Sequence, residues 1–221
     1  NITTQGAAGA TLEGATNVDL TSAVTIDTSA GNGAINLANG GAVDGGNALT
    51  LTAGTGQIDL DAVGANTALA SLSITGTGQT NLDGDITTTG AVDASGATNI
   101  DLLRAVTIGT TNSAVNLSGG AVDGNFALVV NAGSGGITTG AMGAGTALAS
   151  VDLNSTGQTN LGGNITTQSA TGVTLDGATN VDLTSAVTID TTTNNGAVNL
   201  AGGAVDGNFG LVVNAGSGAV T

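Results

Sequence analysis

The sequence predicts an all-β fold, a right-handed parallel β-helix (β-solenoid) of about 20 residues per coil and about 11 coils. Three observations lead there. "GGAVDGNFALVVNAGSGGIT" (119–138) returns as "GGAVDGNFGLVVNAGSGAVT" (202–221) and, more loosely, as "GGAVDGGNALTLTAGTGQID" (40–59). Short apolar–polar–apolar runs recur along the whole chain. The 39 glycines each cost about 1 kcal/mol in a helix interior relative to Ala.

The strands are read from strict alternation. In "NVDL" (17–20) Val18 and Leu20 face inward and Asp19 faces water. In "AVTID" (23–27) Val24 and Ile26 go in, with Thr25 and Asp27 out. "AINL" (34–37), "QIDL" (57–60) and "SLSI" (71–74) read the same way. "NFALVV" (125–130) puts Phe126, Leu128 and Val130 on one side, Ala127 and Val129 on the other. The equivalent Phe126 and Phe209 are expected to fill the core near a corner. Turn signals separate strands of about three to five residues: Asn-Gly at Asn32, Asn39 and Asn195, and Asp-Gly at Asp44, Asp83, Asp123, Asp176 and Asp206.

Such strands suit a sandwich, a propeller or a solenoid. Propeller blade motifs are missing, and a sandwich does not ask for near-verbatim repetition. A solenoid favours it, because each coil rests on a similar coil. "GATNVDLTSAVTID" (14–27) recurs letter for letter at 177–190, with "GATNIDLLRAVTIG" (96–109) between them. The chain therefore divides into units 1–84, 85–163 and a partial 164–221 within one continuous solenoid. Four coils per unit would give a rod about 50 Å long at about 4.8 Å per layer. Parallel crossovers are overwhelmingly right-handed, hence the expected hand. On this layout the equivalent carboxylates Asp19, Asp101 and Asp182, and likewise Asp44, Asp123 and Asp206, lie about 20 Å apart, beyond the Debye length of about 8 Å.

Composition narrows the chemistry. The chain has no Cys, His, Lys, Trp, Tyr or Pro, one Arg (Arg104) and a net charge of −15. Imidazole, thiolate and amine catalysis are excluded, as are His or Cys metal sites. A polyanion with one cation repels nucleic acid and anionic membranes. No apolar stretch approaches the roughly 20 residues of a membrane span, and no signal peptide is visible. No catalytic residue and no cofactor are expected.

The best metal candidates are Asp83 and Asp85 in "NLDGD" (81–85), weak ones because the next unit reads "NLGGN" (160–164). Asp59 and Asp61 in "QIDLDAV" could form a glycosidase-like pair, but an inward Leu60 makes both a solvated face. Arg104 stands where sister copies have Ser and reads as a surface substitution. Threonine clusters at 85–89 and 190–195 raise ice binding, although the Thr positions wander. Sequons at Asn1, Asn116, Asn154 and Asn164 are expected by chance in such a composition.

"LTLTAGTGQIDLDAVGANTALASLSITGTGQTNLDGDITTTGA" (49–91) resembles the repeats of large bacterial surface adhesins, the filamentous-haemagglutinin-like proteins and giant autotransporter passengers. The resemblance spans the chain and implies an extracellular right-handed β-helix acting as a stalk, fibre or adhesive surface. The expected function is structural or adhesive: a rod, stalk or filament at the bacterial cell surface or in biofilm, without catalysis. A glycan- or ice-binding solenoid module is the alternative. Expected partners are another copy stacked end to end or a continuation of the chain, and host or cell-surface glycans, with no nucleic acid and no membrane insertion.

Overall fold

A computed structural model describes residues 1–12, 14, 16–38 and 41–221. The Asn39-Gly40 turn lies outside the described residues. The chain is a parallel β-solenoid whose strands stack in three ladders, one per face. The first face is a single sheet of ten strands, from Ile2–Thr3 through Val24–Asp27 and Ala48–Thr52 to Asn180–Leu183 and Ala204–Asp206. The second runs from Ala10–Thr11 through Ile58–Leu60 and Asn99–Leu102 to Ala121–Asp123, and a bridge at Met142 carries it on to Ile165. The third starts at Asn17–Asp19 and Ala42–Asp44, passes the bridge at Val63, and continues through Val106–Thr110 and Ala127–Gly133. The long strand Ile165–Thr174 turns the corner between the second and third faces, pairing with Val187–Asp190 at its start and Val198–Asn199 at its end.

Turns are longer than the sequence suggested. Ile2 pairs with Ile26, Ile26 with Leu51 and Leu51 with Ile74, steps of 24, 25 and 23 residues, while Ile137, Thr159 and Val181 follow at steps of 22. A turn averages about 23 residues, and the chain makes about 9 turns rather than 11. The extra residues lie in corners, such as Thr28–Ala34 between Val24–Asp27 and Ile35–Asn36. Ten layers at about 4.8 Å span about 43 Å.

Alternation does what the sequence asked of it. Ile26, Leu51, Leu60, Ile100, Leu128 and Val130 are buried in one continuous aliphatic core, while Thr25, Asp59 and Val129 point outward between them. Each side chain rests on the equivalent position one turn away, which is why similar coils repeat.

Corners are closed by a device that recurs in every unit. Asn32, Asn112 and Asn195 adopt φ of 51°, 57° and 52°, a region Asn tolerates better than other side chains. Their Oδ1 atoms accept from the amides of Thr55, Ser134 and Ser217 one turn on, at 3.0, 3.0 and 2.9 Å. The receiving segment must be Gly-rich: a Cβ on Gly56, next to Thr55, would lie 2.4 Å from the Gly33 carbonyl oxygen of the preceding turn. Beneath, Thr28, Thr110 and Thr191 donate Oγ1 to the carbonyls of Gly33, Ser113 and Gly196.

The unit is not a whole number of turns. From Asn17 to the equivalent Asn99 the chain lays down ten strands and the Val63 bridge, eleven segments, where four turns of three faces need twelve. The expected four-coil unit is thereby corrected.

Candidate functional surface

Carboxylates are the only plentiful charged groups, and the ladder register pairs them in a way the spacing argument does not reveal. Asp19 lies opposite Asp44, Asp101 opposite Asp123, and Asp182 opposite Asp206 on adjacent turns. Equivalent members of each set remain about 18 Å apart along the axis, close to the expected spacing, but the two sets meet each other in pairs about 4.8 Å apart. Equivalent members of each set sit on different faces, because a unit falls one segment short of four turns.

Amides make these pairs tolerable. Asn17 Nδ2 donates to Asp19 Oδ1 at 2.8 Å, and Asn99 Nδ2 to Asp101 Oδ1 at 2.9 Å. Asn180, oriented so that both its amide atoms are satisfied, donates to Asp206 Oδ2 at 2.7 Å. Asp44 and Asp123 go further and are buried, 1% and 7% exposed. Asp44 Oδ1 accepts from the amides of Asn66 and Thr67 at 2.8 and 3.0 Å, and Oδ2 from Asn66 Nδ2 at 2.8 Å. Asp123 Oδ1 accepts from Gly145 and Thr146 at 2.8 and 3.2 Å. Burial works to raise the Asp44 pKa, but the hydrogen bonds from Thr67, Asn66 and Asn17 outweigh it and hold the carboxyl below its ordinary value. The turn reading of these Asp-Gly pairs missed this role. Its signal is present in the sequence: Asp44 and Asp123 are followed about one turn later by "GANTAL" (64–69) and "GAGTAL" (143–148).

Of the two metal candidates, Asp85 carries a structural hydrogen bond. Asp83 and Asp85 are both exposed. Asp85 Oδ1 accepts from the Thr107 amide at 2.7 Å, as Asn1 Oδ1 does from Thr25 and Asn164 Oδ1 from Thr188, both at 2.8 Å. A neutral amide serves as well as the carboxylate there. Among the described residues no group of three or more Asp or Glu converges as a metal ligand set.

Asp59 and Asp61 flank the buried Leu60 and are half-exposed. Asp59 Oδ1 accepts from Gln57 Nε2 and Asn81 Nδ2, both at 2.6 Å, which ties it into a polar ladder. It lines a shallow depression with Asn81, Asp83 and Leu103. Arg104 is exposed and reaches the Asp83 carbonyl at 3.5 Å.

Phe126 and Phe209 do not fill the core. They are 39% and 51% exposed, because the strands begin one and two residues later, at Ala127 and Leu211, and the rings fall on the corner after Asp-Gly. Beside Phe126, Gln168 Nε2 donates to Asn125 Oδ1 at 2.7 Å and to the Ala147 carbonyl at 3.2 Å. The outward column of the first face reads Thr25, Thr50, Ser73, Asp93, Asn116, Thr138, Asn160, Asp182, so threonine repeats on adjacent turns only at Thr25 and Thr50. Of the sequons, Asn116 Oδ1 accepts from Ser118, and Asn154 Nδ2 donates to Asn131.

Among the described residues no helix is long and apolar enough to cross a membrane. Comparison with known proteins finds no matching family model, no matching curated protein and no matching solved structure.

Proposed function

We propose that the protein is a structural or adhesive rod of an extracellular bacterial surface, a stalk or filament segment that performs no catalysis. The observation that carries this reading is the continuity of the three parallel ladders over about 9 turns. Load along such a rod is shared by strand pairs on three faces at every layer. A surface of Asp, Asn, Thr and Ser keeps it hydrated, and a single Arg and no Lys leave trypsin-like proteases one cleavage residue. Right-handed winding accords with the general rule for parallel crossovers. Further turns, from the same chain or from another copy stacked end to end, would extend the rod with the same layer spacing.

Negative-stain electron microscopy of the native protein tests the reading. Rods whose length grows by about 4.8 Å per turn, or filaments built from them, are expected; globular particles would overturn it. A glycan-binding reading is favoured by one observation, the exposed Phe126 ring beside the Asn125–Gln168 amide pair. Aromatic faces flanked by amides suit pyranose rings. A glycan array read with the native chain and F126A would show binding lost in the variant; equal signals would dismiss this site.

A further inference from the structure

The copies of the repeat are nearly identical in sequence, yet they occupy different faces. The strand opening "NVDL" lies on the third face at Asn17–Asp19, on the second at Asn99–Leu102, and on the first at Asn180–Leu183. "AVD" follows the same order, third at Ala42–Asp44, second at Ala121–Asp123, first at Ala204–Asp206. "AVTI" moves from first at Val24–Asp27 to third at Val106–Thr110, and then by way of Ile165 to the second at Val187–Asp190. Every motif steps back one face per unit, because eleven segments make three and two-thirds turns.

We infer that the repeat is a threefold screw: each unit advances the rod by about 18 Å and turns its surface by a third of a revolution, at about 4.8 Å per turn. The three faces are therefore interchangeable. A segment is specified by the segments three before and three after it, which stack on it, and not by the face it occupies. The corner asparagines Asn32, Asn112 and Asn195 make the same bond, at 2.9–3.0 Å, in three different orientations about the axis. A partner that recognises one unit's surface meets its sites on successive sides of the rod. A flat partner surface meets the same motif only every third unit, 11 turns or about 53 Å along. Copy number then sets both the reach of the rod and the bearing of whatever lies beyond it.

Absence of native Cys makes paired spin labels clean. Thr25 and Thr107 are equivalent positions on different faces, whereas Thr25 and Asn116 share the first-face column, four turns apart. A screw predicts that the T25C/T107C distance exceeds the T25C/N116C distance by on the order of 10 Å, since a face of several residues at about 3.3 Å each is crossed. Four-turn units in line would make the two nearly equal, which would overturn the inference. Deleting residues 85–163 removes one unit, and the distance from T25C to T188C in that variant should reproduce the T25C/T107C value. Failure of the deletion variant to fold, or a different distance, would refute the interchangeability of faces.

Discussion

Replacing threonine by valine inside this core should stabilise it. Thr80 and Thr159 are fully buried, and neither Oγ1 has a hydrogen-bond partner. Thr159 stacks between Ile137 and Val181, and Thr80 between Ile58 and Ile100, so each hydroxyl faces aliphatic neighbours along its column. An unpaired buried hydroxyl costs about 1–3 kcal/mol, and valine's extra methyl group adds apolar burial of about 0.8 kcal/mol. We expect T159V and T80V each to gain at least about 1 kcal/mol, so with a urea slope near 3 kcal/mol/M each midpoint rises by about 0.3 M or more. The sites lie on different faces and turns, so the double variant should be additive. Amide exchange at Ile137 and Val181 supplies a local readout, since solenoids can lose two-state cooperativity. Loss of more than about 0.5 kcal/mol in either variant would refute the reasoning, because it would mean that the hydroxyl is satisfied in the folded rod.

D85N should leave stability within about 0.5 kcal/mol of the native chain, because Asn1 and Asn164 make the same bond; a larger loss by urea denaturation would restore a role for the charge. F126S should likewise fall within about 0.5 kcal/mol, whereas a core phenylalanine would cost about 3 kcal/mol or more. Acid should unfold the rod from a flat plateau: the depressed Asp44 carboxyl contributes stability that is complete above its unfolded pKa and is lost as pH falls through its folded pKa. Circular dichroism against pH should show this loss below the ordinary carboxylate range, and stability that falls between neutral pH and that range would contradict it. N81D would set three carboxylates side by side with Asp59 and Asp101, costing about 0.8 kcal/mol per neighbour in water at about 5 Å. High salt should recover most of that loss, and a salt-independent effect would point to the lost amide bond instead.

Much of the fold was legible because alternation and stacking are local rules. Leu60 between Asp59 and Asp61 could only be inward, and it is. What escaped needed the count of residues in corners. Alternation says nothing of how many Gly, Asn and Ser a corner consumes, so the sequence suggests a turn of about 20 residues where the structure has about 23. That difference carries forward, since four shorter coils fill an 80-residue unit while three and two-thirds longer ones do so as well. Phe126 escapes for a related reason: period two runs through "NF" in the sequence, but the strand begins only at Ala127, after the corner. The capping carboxylates Asp44 and Asp123 read as turn residues because Asp-Gly is a turn signal wherever it occurs, and only the next turn reveals what the carboxylate faces.

A rod with net charge −15 and a single Arg cannot offset its carboxylates with salt bridges, so the offset must come from neutral donors. The second face shows how. Its outward column runs Asn36, Asp59, Asn81, Asp101, an amide before each acid until Asp123. Asn81 Nδ2 donates to Asp59 at 2.6 Å, and Gln79 Nε2 donates to Asn81 Oδ1 and Asp101 Oδ2, both at 2.7 Å. Amides donate without adding a cation, so the ladder satisfies its acids while the rod keeps its full charge. Lysine would satisfy the same carboxylates but would place cations where a neighbouring rod's acids could bind them. An amide-based ladder therefore stabilises each rod internally while its carboxylates keep their charge and repel those of a neighbouring rod alongside.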